Sequence, residues 1–200
     1  MKPFCESADQ NKAPILAVLR ELLTVPATVF EIASGTGQHA VHFAGQLPHI
    51  QWQTSELPER LPGIGAWLEE AALANTPAPI ALDVLQQPWP DLVVDAAYSA
   101  NTAHILHWPQ VEAMFRGVAG MLRSGGLFCL YGPFRYGGVH ISESNTRFDA
   151  SLRARDPGMG VRDVDDLNRL ALESGLAPTG DYVMPVNNRI LVWRRTARPE

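Results

Sequence analysis

Apolar residues along this chain recur in two alternating rhythms. Between Asn11 and Leu23, the side chains of Ile15, Leu16, Leu19, Leu22 and Leu23 fall on one face at helical spacing, and Pro26 closes the segment. Thr28–Ala33 is a short apolar run that ends in small residues before a glycine turn, the pattern of a strand buried on both faces. The same two rhythms repeat downstream. Helices are predicted over Gln38–Gln46, Leu61–Ala74, Trp108–Leu122 and Val164–Ser174. Strands are predicted over Gln51–Ser55, Ile80–Leu82, Asp95–Ala100 and Leu127–Tyr131, with Ser124-Gly125-Gly126 stopping the preceding helix. Strands alternating with helices at this spacing build βαβ units, with right-handed crossovers and helices on both faces of the sheet.

Two stretches leave the alternation. Gly132–Arg162 is rich in glycine and proline and reads as a long insertion with one short helix near Phe148–Arg155; such segments serve as lids or binding loops. Tyr182-Val183-Met184 and Ile190–Arg194 bracket Pro185-Val186-Asn187-Asn188, which predicts an antiparallel hairpin at the end of the sheet. The expected fold is therefore α/β and Rossmann-like. It has a mostly parallel seven-stranded sheet, a C-terminal antiparallel hairpin and helices on both faces. One domain spans residues 1–200, with a lid at 132–162.

Composition narrows the function classes. With 46% hydrophobic and 18% charged residues the chain can bury a proper core. A net charge of -5 opposes a broad phosphate-backbone footprint, so nucleic acid is not an expected partner. Arg189, Arg194, Arg195 and Arg198 gather near the C-terminus and read as a solvated strand and tail. Cys5 and Cys129 lack the spacing of a zinc site or a disulfide framework. No apolar run reaches membrane-spanning length, so no membrane association is expected and a cytoplasmic protein is.

The strongest chemical signal is the loop after the first strand, Glu31-Ile32-Ala33-Ser34-Gly35-Thr36-Gly37-Gln38-His39-Ala40. Its glycines let backbone pass close to a ligand, and the next helix points its free N–H groups at the same place. Gly35-x-Gly37-x-x-Ala40 satisfies the loose dinucleotide pattern, and Glu56 follows Gly37 at a distance suited to a ribose-binding carboxylate. This fragment alone leaves a nicotinamide cofactor and S-adenosylmethionine both open.

Glu31-x-Ala33-x-Gly35-x-Gly37 resembles the E/D-x-G-x-G-x-G motif of class I S-adenosylmethionine-dependent methyltransferases, with Ala33 in place of the first glycine. Leu122-Arg123-Ser124-Gly125-Gly126-Leu127 looks like that superfamily's L-x-P-G-G-x-L lead into strand five, without its proline. The resemblance implies that Glu56 holds the ribose hydroxyls and that Asp83, followed by Val84, meets the adenine amino group. It also implies that Glu31, Ala33, Gly35 and Gly37 surround the amino-acid end. More narrowly, the chain is similar to an uncharacterised methyltransferase-like family of bacteria and animals. The matching pieces include Ser99-Ala100-Asn101-x-x-His104-Ile105, Tyr131-Gly132-Pro133-Phe134, Asn145-x-x-Phe148-Asp149 and Met184-Pro185-x-Asn187-Asn188. This second resemblance implies the fold and the cofactor, and no acceptor.

Asn101 and His104 follow strand four, on the edge that faces the transferable methyl in this superfamily. His104 is the expected base and Asn101 the expected acceptor-orienting amide, with Asn101 also touching the cofactor. The expected acceptor is a small molecule under the 132–162 segment, walled by Phe134, Tyr136, Phe148 and Met159. Arg135, Arg147, Arg153, Arg155 and Arg162 either hold a carboxylate or phosphate there, or pair with Glu143, Asp149, Asp156 and Asp163. Two other classes compete with a methyltransferase. One is a non-catalytic S-adenosylmethionine-binding protein. The other is a nicotinamide-dependent reductase, opposed by the lack of a Tyr-x-x-x-Lys pair in a chain whose lysines are Lys2 and Lys12.

Overall fold

A computed structural model describes residues 2–197, so Arg198 lies outside the described residues. The strands β1 (Ala27–Ile32), β2 (Ile50–Glu56), β3 (Ile80–Ala81), β4 (Val94–Ala100), β5 (Leu122–Gly132), β9 (Leu176–Met184) and β10 (Asn188–Arg195) form one sheet in the order β3-β2-β1-β4-β5-β10-β9. The first five run parallel, and β10 enters antiparallel between β5 and β9. This is the Rossmann-like sheet with a terminal hairpin that the alternation predicts. Its topology gathers the C-terminal ends of β1, β2, β4 and β5 along one edge, where sheets of this kind bind ligands.

Each face of the sheet carries its own core. In β1, Phe30 and Ile32 face one side and join Phe115 and Val118 of α4 (Trp108–Met121), Leu167 of α6 (Val164–Glu173), and Phe128 and Trp193 from the sheet. Val29 faces the other side, with Ile15 and Leu19 of α1 (Glu6–Leu22), Phe43 of α2 (Gln38–Gln46) and Ile64 of α3 (Leu61–Ala71). Phe43, Trp52 and Tyr98 pack there at 5.2–5.7 Å between ring centroids, Tyr98 edge to face with both others. Burying one such ring removes about 150–250 Å² from water, which makes this trio the firmest part of that layer. Glu31 points into the same layer, because side chains alternate along β1.

Besides the first hairpin strand, which begins at Leu176 rather than Tyr182, the predicted boundaries change in four places. First, α1 begins at Glu6 rather than near Asn11, with Pro14 inside it. An interior proline costs a helix one N–H bond and crowds the carbonyl four residues back, and the added turns are held against this by Cys5 N–H donating to Gln38 Oε1 and by an Asn11–His39 contact of 2.7 Å. Second, Ser124-Gly125-Gly126 does not stop α4. The helix ends at Met121, Leu122 already pairs with Val94, and the three residues form an irregularity within β5. Gly125 has φ +79 there, and a Cβ on Gly126 would lie 2.8 Å from the Asp95 carbonyl.

Third, the 132–162 segment is not a long irregular insertion. It holds β6 (Phe134–Tyr136), β7 (Val139–His140) and α5 (Glu143–Arg155), and β8 (Arg162–Asp163) closes a small sheet in the order β7-β6-β8. Its helix starts five residues earlier than predicted, because Ser142 accepts a bond from Asn145 N–H at 3.1 Å and so caps it. Fourth, α3 stops at Ala71, with Ala72 in the left-handed region. Among the described residues no helix is long and apolar enough to cross a membrane.

Candidate functional site

Two cavities open along the C-terminal edge of the parallel strands, and Asn101 lines both. The first, of about 580 Å³, is walled by the loop after β1, the start of α1 and the start of α3. Its loop is pinned from behind: Ser34 N–H donates to the Ser55 carbonyl at 3.0 Å, and Ser55 Oγ donates to the Glu31 carbonyl at 2.7 Å. Ala33 (φ 56), Gly35 (φ 59) and Gly37 (φ 89) all take the left-handed conformation. That is strained for Ala33 and natural for the glycines. Gly37 caps α2 against Ile64, whose Cα would lie 3.2 Å from an added Cβ, whereas a Cβ on Gly35 would meet nothing within 4 Å. The loop therefore leaves open space at Gly35 and close packing at Gly37.

Glu31, the last residue but one of β1, is 2% exposed and lines this cavity. Burial pushes its pKa up to about 7, against the Trp52 indole, which donates to Oε2 at 3.0 Å. The Ser34 hydroxyl also stabilises the carboxylate by hydrogen bonding. His39, which the sequence reading passes over, lines the same cavity. Burial holds its pKa down at about 4, so its ring is neutral at pH 7, with Asn11 on Nε2 and the Tyr98 hydroxyl 3.5 Å from Nδ1. The signal for His39 was its place two residues after Gly37, on the first turn of α2.

Glu56 ends β2 but does not line the cavity. Its carboxylate stands behind the loop and accepts Gly35 N–H at 3.0 Å and Leu57 N–H at 2.9 Å. Each oxygen has a second lone pair, so both can take a further donor. Asp83 and Val84 line neither cavity. Asp83 follows β3, one strand beyond β2, where Oδ1 accepts Leu85 N–H at 3.0 Å in an Asx turn; Val84 is buried in the core.

The second cavity, of about 470 Å³, lies between α1, α5, the end of β5 and the β9–β10 turn. Asn101 projects between the two cavities from a left-handed residue (φ 55) just after β4, held by its N–H on the Tyr131 carbonyl at 2.9 Å. Strain of this kind persists only where surrounding structure enforces it, and it clusters at functional positions. His104 is 7% exposed in the second cavity, edge-on to Phe148 at 5.2 Å. Burial first, then the Arg162 and Arg155 charges, lower its pKa to about 4. Tyr131 stands at the end of β5 with Asn11 and Asn188 on its hydroxyl.

Of the four expected wall residues only Phe148 lines this cavity. Phe134 is buried in the core, and the Tyr136 hydroxyl donates to Asp181 at 2.8 Å. The arginines do not converge on a ligand site. Arg135 pairs with Asp163, Arg147 with Glu143 and Arg153 with Asp149, while Arg162 donates to the carbonyls of Ala103, Leu106 and Gly158. Arg155 is exposed. On α5, Glu143 and Asp149 stand at ion-pair spacing from Arg147 and Arg153, which ties both guanidinium groups to the helix itself.

The model of a family described as "Protein of unknown function (DUF938)" matches residues 2–195. Among solved structures, an O-methyltransferase family protein from Burkholderia thailandensis superposes at TM-score 0.82 and 14% identity, covering 94% of this chain and 57% of its own. An O-methyltransferase family 2 protein from Planctomyces limnophilus, in complex with apigenin, gives 0.82 and 13%, with 95% and 58% covered. Human N-acetylserotonin methyltransferase, in complex with S-adenosylmethionine, gives 0.81 and 13%, with 96% and 53% covered. The chain thus spans little more than half the length of these proteins, and the likeness is one of fold.

Proposed function

The chain belongs to the DUF938 family, and on that premise we propose that it is an S-adenosylmethionine-dependent methyltransferase acting on a small acceptor. One observation carries the proposal: the cavity behind the glycine loop and the cavity under α5 meet at the strained Asn101, so two ligands would face each other across one residue. The first cavity fits the cofactor. Its volume lies in the range of about 300–1,000 Å³ usual for such ligands. Glu31 is a buried carboxylate with an elevated pKa and no cation beside it, a state that an ammonium or sulfonium group would relieve. Glu31, Ala33, Gly35, Gly37 and Asn101 would surround the amino-acid end; Glu56 would take the ribose hydroxyls on its spare lone pairs, and Asp83 the adenine amino group further along the edge.

When bound, the cofactor would supply an activated methyl: its C–S bond would break with the electron pair left on sulfur as an acceptor lone pair forms the new bond, and the acceptor's proton would pass to His104. The chain's task is then positioning, worth up to about 7–11 kcal/mol in well-oriented reactions. Asn101 orients the acceptor. His104, neutral at pH 7, accepts its hydrogen bond and takes the proton as transfer proceeds. The lid is α5, whose Asn145 donates to the Asn187 carbonyl at 3.1 Å and so closes the second cavity against the β9–β10 turn.

Thermal melts with S-adenosylhomocysteine, NADH and NADPH test the cofactor. At a hundredfold excess over Kd the matching ligand adds about 2.7 kcal/mol of stability. A shift with S-adenosylhomocysteine alone is expected, and a shift with NADH alone would overturn the proposal in favour of a reductase.

A further inference from the structure

We infer that the second cavity takes an uncharged small molecule bearing hydroxyl or amide groups, and that it selects against carboxylates, phosphates and ammonium ions; this rests on the transferase reading and deepens it. The cavity's lining contains no Asp, Glu, Lys or Arg. Five carboxamides face it instead, from Gln10, Asn11, Asn101, Asn145 and Asn188, with the Tyr131 hydroxyl among them. A carboxamide both donates and accepts, so this wall can pair with hydroxyl, carbonyl and amide groups but supplies no counterion. A charge taken from water without a partner loses several kcal/mol of solvation, so a neutral acceptor enters and its charged analogue does not.

Of the ionic groups behind the wall, Arg162 and Asp149 are already occupied, and Arg155 is exposed to solvent. Arg162 stands nearest His104 but donates to three main-chain carbonyls, from Ala103 (3.0 Å), Gly158 (2.8 Å) and Leu106. Asp149, on the inner side of α5, accepts Arg153 Nε at 3.0 Å and Val161 N–H at 2.7 Å. His104 is neutral at pH 7 and offers an anion no positive partner. Asn101 is the exception among the amides, since its side chain has no protein partner among the described residues and is free to read the acceptor. The first cavity differs on this point: Glu31, Glu59 and Arg60 line it. A zwitterionic cofactor and a neutral acceptor would therefore be sorted by charge between two adjoining cavities.

The test uses three probes of one size, 4-hydroxybenzamide, 4-hydroxybenzoate and tyramine, on the full chain. Calorimetry first establishes whether S-adenosylhomocysteine binds; failure there removes the transferase reading itself. On the loaded protein, saturation-transfer NMR then ranks the probes. The amide is expected to bind at least roughly tenfold tighter than either charged probe, the minimum that an unpaired buried charge imposes. Ser144→Arg, which places a cation on the cavity rim, should raise the affinity for the benzoate. Equal or tighter binding of the benzoate or tyramine to the wild-type protein, or no binding of the amide, would overturn the inference while leaving the cofactor result standing.

Discussion

The two cavities that meet at Asn101 are built in opposite ways. The first is made largely of backbone: a seven-residue loop from Glu31 to Gly37, three left-handed residues, and carboxylates that hold or border the loop. The second is made of side chains from four separated segments, α1, the strand ends, α5 and the β9–β10 turn, and none of them is charged. A backbone cradle recognises what is constant among ligands, and a side-chain wall recognises what is particular. The difference separates the cofactor half of the proposal from the acceptor half, and each can be broken alone.

The largest effect should come from Gly37→Val. The residue has φ +89 and a Cβ would press on Ile64 at 3.2 Å, so strain of about 1–3 kcal/mol adds to a clash between α2 and α3. A fall in Tm of roughly 5–10 °C and loss of the S-adenosylhomocysteine shift are expected. Full retention of that shift would mean the loop is not the cofactor cradle.

Acid should act on both cavities at once. His39 and His104 each have a pKa lowered from 6.5 to about 4, so the unfolded chain binds more protons between those values and stability falls as pH drops through this window. Glu31 works the other way: its pKa is raised from 4.5 to about 7, so it contributes stability at low pH that is lost as pH rises toward 7. Two histidines against one carboxylate leave a net loss on acidification from about pH 6.5 to 4.5, of order 3 kcal/mol at most. Urea denaturation across that range measures it. Glu31→Gln should steepen the slope, and a flatter slope would refute the assignment of opposite signs.

A third comparison is between Glu56→Ala and His104→Ala. Loss of Glu56 removes an acceptor from Gly35 N–H and, on the proposal, from the ribose, weakening S-adenosylhomocysteine by roughly 1.5–3 kcal/mol. His104→Ala should leave that affinity nearly unchanged and lower turnover. Equal weakening by both would merge the two cavities into one site. The smallest effect is expected of Phe148→Ala, whose 37% exposed ring edges His104. It should raise the acceptor KM without altering kcat or cofactor affinity, and a change in kcat alone would place Phe148 in the chemistry.

The same contrast explains what could be read from the chain. The glycine loop, Glu56 and the strand alternation are local signals, contiguous or one strand apart, so sequence spacing reports them directly. The placement of Asn101 and His104 at the sheet's C-terminal edge was also reachable, because they follow a strand end whose position in the sheet the topology dictates. The convergence of Gln10, Asn145 and Asn188 on one cavity was not, although Asn145 and Asn188 stand in the family-like pieces, since no periodicity links them and only the packing of α1 and α5 brings them together. The first turns of α1, Glu6–Gln10, carry no large apolar residue for the spacing to report, and the glycines of 132–162 masked a small sheet whose strands are two or three residues long. Of the two readings open for the five arginines, pairing with nearby acids holds for Arg135, Arg147 and Arg153, while Arg162 is taken by main-chain carbonyls.

The most direct test of a charged cofactor joined to a neutral acceptor is a single labelling experiment. The protein is incubated with deuteromethyl S-adenosylmethionine and a small-molecule extract divided by ion exchange into anionic, cationic and neutral pools. Mass spectrometry then locates the label. The account predicts a labelled product in the neutral pool that disappears with Asn101→Ala. Label confined to the anionic or cationic pool, or no label in any pool from protein that binds S-adenosylhomocysteine, would contradict it.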